Sequence, residues 1–227
     1  MSKSSSNMFY LGFFLCAVCA VSAAVMGGAA LLTKGPIEKA QIRKVSESLR
    51  KILPPFDNDP FAESCVVSSV RFYTARKEGK VVGYAGELSV NSGYGGKMEA
   101  LLSFHPDGRI RSFVVTQHSE TPGLGSVVTD RTSPVTLRSL FSRKKSPDVL
   151  PPNRILDQYA GHSLQGKDPW RTPWKIAKDG GDVQYVTGAT LSSRAVNELA
   201  WKGAEAFAGF LASRKTDKTV MPSGGVK

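Results

Sequence analysis

The chain is expected to be an α+β protein: an antiparallel sheet with packed helices, preceded by one N-terminal transmembrane helix. Three observations predict this. An uncharged apolar run, Phe9 to Leu32, lies near the start. Segments rich in Val, Phe and Tyr with partial alternation occupy residues 64–116. A long amphipathic stripe follows over Ser192 to Arg214. The 227 residues are enough for one ordinary domain plus an anchor.

Residues 1–8 read as a short tail and residues 9–32 as the membrane span. Val21-Ser22-Ala23 has the small-residue form of a signal-peptide cleavage site. The apolar run continues past it to Leu32, so an uncleaved anchor is the preferred reading. Cys16-x-x-Cys19 has the spacing of a redox or metal pair, but no second pair of ligands accompanies it, and it reads as small apolar filler. Residues 33–62 read as a connecting helix and linker. Pro36 suits the first turn of a helix. Ile37, Ala40, Val45, Leu49, Ile52 and Leu53 fall near one face, and Pro54-Pro55 ends the helix in a turn-rich joint.

Residues 63–214 form the expected folded domain. Ser64 to Arg76, Lys80 to Val90, Lys97 to Phe104 and Arg109 to Thr116 predict three or four antiparallel strands, with Asp107-Gly108 as a hairpin turn. Short helices are expected at Val135 to Arg143 and Arg154 to Tyr159, and a loop over Gly161 to Gly181. In the last helix Val196, Leu199, Ala200, Phe207, Phe210 and Leu211 make the apolar stripe, with Lys202, Glu205 and Ser213 away from it. Gly203 lies within the stripe, where it would let a neighbour pack closely. Residues 215–227 read as a flexible tail.

The formal net charge is +11. The bases are scattered, and there is no zinc finger, RNA-binding aromatic signature or helix-turn-helix, which argues against a nucleic-acid partner. A basic face near membrane lipid or a protein partner fits better. Only Lys3 precedes the span while several bases follow it, which by charge alone would keep the C-terminal side in the cytoplasm.

Three short segments carry the chemistry. Gly93-Tyr94-Gly95-Gly96 is a turn where backbone must bend or approach something closely. Gln117 to Gly125 ends a strand; Pro122-Gly123 fits a tight turn, Glu120 and Thr121 bring polar groups, and Leu124 could lie against an apolar ligand. His118 reads as a structural or surface histidine, and no metal-ligand cluster accompanies it. Thr187 to Ser193 (TGATLSS) precedes the long helix. Ser192 and Ser193 read as N-cap residues, and a helix N-terminus suits a phosphate. The physics leaves two readings of this segment: a well-capped helix start, or an anion site.

These segments, in this order behind one anchor, resemble the FMN-binding domain of the G subunit of Rnf-type complexes and of the C subunit of Na⁺-translocating NADH:quinone reductases. The resemblance covers the anchor and nearly everything from the connecting helix to Arg214. It implies FMN joined through its phosphate, by a flavin transferase, to the last threonine of a Ser/Thr-Gly-Ala-Thr sequence, here Thr190. It implies cofactor contacts from Tyr94, from Glu120, Thr121, Pro122, Gly123, Leu124 and Gly125, and from Thr187, Gly188, Ala189, Leu191, Ser192 and Ser193. The chain would pass electrons within a larger complex and supply no amino-acid catalyst. Family members often carry Asp three residues before the first Ser/Thr of the motif; Gln184 stands there, which bears on how efficiently the transferase acts.

Thr187 in the first motif position and the short distance from anchor to domain look more like the Rnf subunit, whose complex couples electron transfer between ferredoxin and NAD to ion movement. The alternatives are the quinone-reductase subunit and a membrane-tethered anion-binding module without redox activity. A stand-alone flavin reductase finds no support, since no G-x-G-x-x-G unit between strand and helix is present. The resemblance also implies the bacterial inner membrane, a single pass, other membrane subunits as partners, and a flavin domain on the extracytoplasmic side. This last point opposes the charge count and outweighs it, because a folded domain of this size weakens the charge rule.

Overall fold

A computed structural model describes residues 3–131, 150–165 and 168–219. The chain divides into two units, residues 1–46 and residues 47–227. Helix α1, Lys3–Ile52, begins in the first unit and ends in the second. Its apolar part is long enough to cross a membrane, and the side chains from Phe9 to Leu32 are almost all exposed. Pro36 lies inside α1 and does not open a separate helix. The proline costs one backbone hydrogen bond, but Gly35 before it has no Cβ to meet the ring, so the helix continues.

The second unit is built on a five-stranded antiparallel meander in the order β1-β2-β3-β4-β5. The strands are β1 Cys65–Val67, β2 Val70–Lys77, β3 Lys80–Gly93, β4 Gly96–Phe104 and β5 Ile110–Gln117. The run expected as one strand from Ser64 to Arg76 is thus a hairpin. Val67 pairs with Val70, and Ser68 and Ser69 turn the chain with φ of 49° and 66°. Their short polar side chains tolerate a left-handed backbone that matches the sheet twist. The helix expected at Val135 to Arg143 lies outside the described residues.

Both faces of the sheet are covered. On one, helix α4, Thr190–Thr219, lays the expected stripe: Val196, Leu199, Ala200, Phe207 and Phe210 are buried, and Leu211 packs beside them. Phe207 stacks on Phe104 with centroids 4.1 Å apart, and Phe210 on Phe72 at 4.9 Å. A Cβ on Gly203 would stand 3.2 Å from Leu102, the close approach its place in the stripe suggests. The other face carries the residues of opposite parity. Tyr73, Ala75, Ala85 and Leu101 are buried, as are Leu49 and Ile52 of the α1 end and Leu53 after it. Pro54 and Leu53 lie against Gly83. The end of the expected connecting helix is therefore part of the domain core.

Among the described residues two short helices follow the sheet. Helix α2, Gly125–Thr129, starts at the last residue of the expected strand-ending loop and was not foreseen in the sequence. Helix α3, Arg154–Asp157, is capped by Asn153, whose side chain accepts from Ile155 and Leu156 N–H. Residues 161–165 and 168–181 are mostly irregular, as expected, and pass through a 3₁₀ turn at Ala177–Asp179. Helix α4 runs beyond Arg214 to Thr219, so the first residues of the expected flexible tail are helical. Residues 220–227 lie outside the described residues.

Candidate functional site

The three glycine-bearing segments meet at one place. Gly93 pairs with Gly96 across the β3–β4 turn, which holds Tyr94 and Gly95. Gly95 lies flush on the backbone of Ser119, where any Cβ would overlap the Ser119 carbonyl. Beyond β5 the chain turns through Gly123, with φ of 77°, into α2. Gly188, with φ of 90°, brings the motif into α4 and faces Leu124, whose nearest atom would be 3.7 Å from a Cβ there.

Between them lies a cleft of about 350 Å³, lined by Tyr94, Glu120, Thr121, Leu124, Gly125, Gly188, Ala189, Thr190, Leu191 and Ser192. Every one of these residues is among those the sequence singled out. Pro122, Gly123 and Thr187 belong to the same turns but do not line the cleft, and their positions are exposed. A larger cavity of about 730 Å³ is bounded by Ser126 and Val127 of α2 together with Asn153, Ile155, Tyr185 and Val186.

Thr190 is the first residue of α4, half-buried at the cleft wall. The first-turn N–H groups of a helix have no intrahelical acceptor. The residues that carry them, Thr190, Leu191 and Ser192, all line the cleft. Tyr94, Leu124 and Leu191 form its exposed apolar rim.

The helix begins two residues before Ser192, so Ser192 and Ser193 are inside it and are not its N-cap. Their hydroxyls go elsewhere. Ser193 Oγ donates to Ala189 O at 2.9 Å and accepts from Val186 N–H at 3.2 Å, pinning the motif to its own helix. Ser192 Oγ donates to Glu120 Oε2 at 2.6 Å. No local signal predicts that bond; Ser and Glu are both ordinary near turns and helix starts.

His118 holds structure. Its Nδ1 accepts from Glu120 N–H at 3.2 Å, which leaves Nε2 to donate to Asp130 Oδ1 at 2.6 Å. This clamps the end of β5 to the end of α2. Gln184, three residues before Thr187, is exposed and accepts from Arg154 Nε at 2.9 Å. Asp182 nearby is paired with Arg171 at 3.2 Å. Among the described residues no group of His, Cys, Asp and Glu could hold a metal ion.

A cleft with a helix N-terminus, a threonine hydroxyl at the helix start and an apolar rim defines a class of protein that can carry an anionic, aromatic cofactor. The FMN-binding domain family model matches residues 93–205, a span that contains all three segments. The G subunit of the ion-translocating oxidoreductase complex of Cereibacter sphaeroides is 31% identical over 198 residues, covering 84% of this chain and 80% of that protein. The protein of the same name from Haemophilus influenzae is 28% identical over 202 residues, 86% of each chain. That from Photorhabdus laumondii is 31% identical over 175 residues, 73% of each. This chain belongs to the family of ion-translocating oxidoreductase complex G subunits, with an FMN-binding domain.

The residues present fit FMN. The helix start suits its phosphate. The rim of Tyr94, Leu124 and Leu191 suits an aromatic ring. The glycines at 95 and 125 let the segments that line the cleft pack on one another: a Cβ at 95 would overlap the Ser119 carbonyl and one at 125 the Glu120 carboxylate.

Proposed function

We propose that this chain is an electron-transfer flavoprotein subunit of a membrane-bound, ion-translocating oxidoreductase complex of the Rnf type, with FMN held covalently through its phosphate on Thr190. The observation that carries the reading is the placement of Thr190: first residue of a 30-residue helix and wall of the cleft assembled from all three segments. A phosphodiester keeps a negative charge, and a helix N-terminus stabilises such a charge by roughly 0.3–2 kcal/mol depending on burial. Bound FMN supplies the redox chemistry; the chain supplies attachment, orientation and surroundings. No side chain is needed as acid or base. Thr190 acts only as acceptor oxygen for the phosphate.

The partners in this reading are the other membrane subunits of the complex, a flavin transferase that matures the chain, and bilayer lipid around residues 9–32. The complex moves electrons between ferredoxin and NAD in the bacterial inner membrane. In this reading α1 crosses once with its N-terminus inside, and the flavin domain lies on the extracytoplasmic side. Protease added outside intact spheroplasts should degrade the domain; survival until lysis would refute that side.

Flavin fluorescence of the denatured chain in a gel tests the attachment. A fluorescent band from native membranes that vanishes in Thr190→Ala is expected. A dark wild-type band, from cells that flavinylate another protein, would overturn it.

A further inference from the structure

Glu120 is 6% exposed, although it sits in a turn, where a carboxylate ordinarily stays in water. Its partners explain the burial. Oε2 accepts from Ser192 Oγ of α4 at 2.6 Å, and Oε1 accepts from Gly95 N–H of the β3–β4 turn at 3.3 Å. Glycines clear the space for it. A Cβ on Gly93 would stand 2.7 Å from Oε1, and one on Gly125 would overlap Oε2 and lie 2.8 Å from Ser192 Oγ. One carboxylate thus joins segments 25 and 72 residues away.

The two segments it joins both contribute walls of the cleft. One carries Tyr94; the other carries Thr190 and Leu191. Ser92 also reaches Glu198 of α4, but that contact is exposed. Beside the apolar packing of α4 on the sheet, Glu120 is a buried hydrogen-bonded link between the turn and the helix start. A phosphate ester holds a cofactor by one end only, through a flexible chain, and a tether does not orient a ring. Orientation requires the walls to be fixed relative to each other.

We propose that Glu120 is a positioning residue for the flavin: by holding Gly95 N–H and Ser192 Oγ together it fixes the tyrosine-bearing turn against the attachment helix, so that the ring is gripped and not merely tethered. This rests on the reading that the cleft holds FMN. Glutamine at this position keeps one acceptor oxygen for Gly95 N–H, and its amide nitrogen would reverse the second bond by donating to the Ser192 hydroxyl, which can also accept; Glu120→Gln therefore loses the charge-assisted bonds and is the milder variant.

The test uses the full chain in detergent, with Glu120→Ala, Glu120→Gln and Ser192→Ala. The first measurement is amide hydrogen exchange in a Thr190→Ala background, where no covalent flavin is present. Faster exchange at Gly95 and Ser193, with β2 amides unchanged, is expected; unchanged exchange at both sites overturns the proposal. Should Glu120→Ala fail to fold, Ser192→Ala removes a single hydroxyl and should shift the same amides less. The second measurement uses chains with Thr190 intact. The variants should keep the fluorescent gel band, while flavin anisotropy and visible circular dichroism of the native protein fall. Wild-type anisotropy and dichroism in Glu120→Ala overturn the proposal. So does loss of the band, since Glu120 would then act on attachment. A dark wild-type band instead ends the FMN reading, and the exchange experiment still decides whether Glu120 joins the walls.

Discussion

Gly95 shows how little freedom the site leaves a single residue. Its Cα faces the Ser119 carbonyl, and backbone cannot swing aside as a side-chain tip can. Gly95→Ala should therefore cost at least the roughly 1–3 kcal/mol of an overpacked core position. Urea denaturation would measure it, and a loss below about 0.5 kcal/mol, the range of ordinary surface substitutions, would contradict the packing described. The sequence marks this glycine as a place of bending or close approach, and it serves the second purpose. The two serines of the motif are a different case. Read locally they are helix caps. In the fold Ser193 ties Ala189 to Val186 and Ser192 reaches Glu120. A serine hydroxyl serves whichever acceptor the fold brings near, and only one of the two acceptors is close in sequence.

Among the elements, α4 was legible because its stripe from Val196 to Leu211 repeats as a helix must. The strands were legible from runs rich in Val, Phe and Tyr bounded by turn residues; covered on both faces, β2, β3 and β4 carry continuous buried stretches in place of a clean alternation. Short elements were legible only in part: the helix expected at Arg154 to Tyr159 is α3, Arg154–Asp157, whereas α2 and β1 were missed. Helix α2 lacks the length to show a period, and β1 merged with β2 because nothing but two serines separates them. The 161–181 loop has no repeat, yet it is held firmly. Its His162 ring stacks on Trp170 with centroids 3.5 Å apart, and Nδ1 lies 2.8 Å from Asp168 Oδ1. The Asp168 side chain is only 6% exposed. Burial alone would push its carboxyl up. The His162 hydrogen bond and the N–H groups of Ser163 and Trp170 outweigh this and hold it below its ordinary value of 3.8. A carboxyl depressed on folding stabilises the protein above its unfolded value and loses that contribution as pH falls through the folded one. The thermal midpoint should therefore drop on acidification below about pH 4. In Asp168→Asn it should start lower at neutral pH and depend less on pH in the acid range. An identical acid limb in both proteins would remove Asp168 from the account.

At the scale of the whole molecule, the sheet is covered on both faces by residues of the second unit. Leu49, Ile52 and Leu53 cover one face and α4 the other, so this unit carries its own core. A chain beginning at Glu47 should fold cooperatively in urea and stay in the supernatant. The full chain should remain in membranes washed with alkaline carbonate. A truncated chain without a cooperative transition would show that the core needs more of α1.

The sequence by itself determined the long apolar segment, the antiparallel strands, the amphipathic final helix and the three segments that build the cleft. Each is encoded by residues near one another in the chain: an unbroken apolar run, alternation, a helical stripe, glycines at turns. Only the tertiary structure decided that β1 and β2 are separate, that the end of α1 belongs to the domain core, and that Glu120 bonds both to the β3–β4 turn and to the start of α4. These depend on partners far apart along the chain. A side chain's hydrogen bond is chosen by what folding brings within about 3 Å, and sequence spacing says nothing of that.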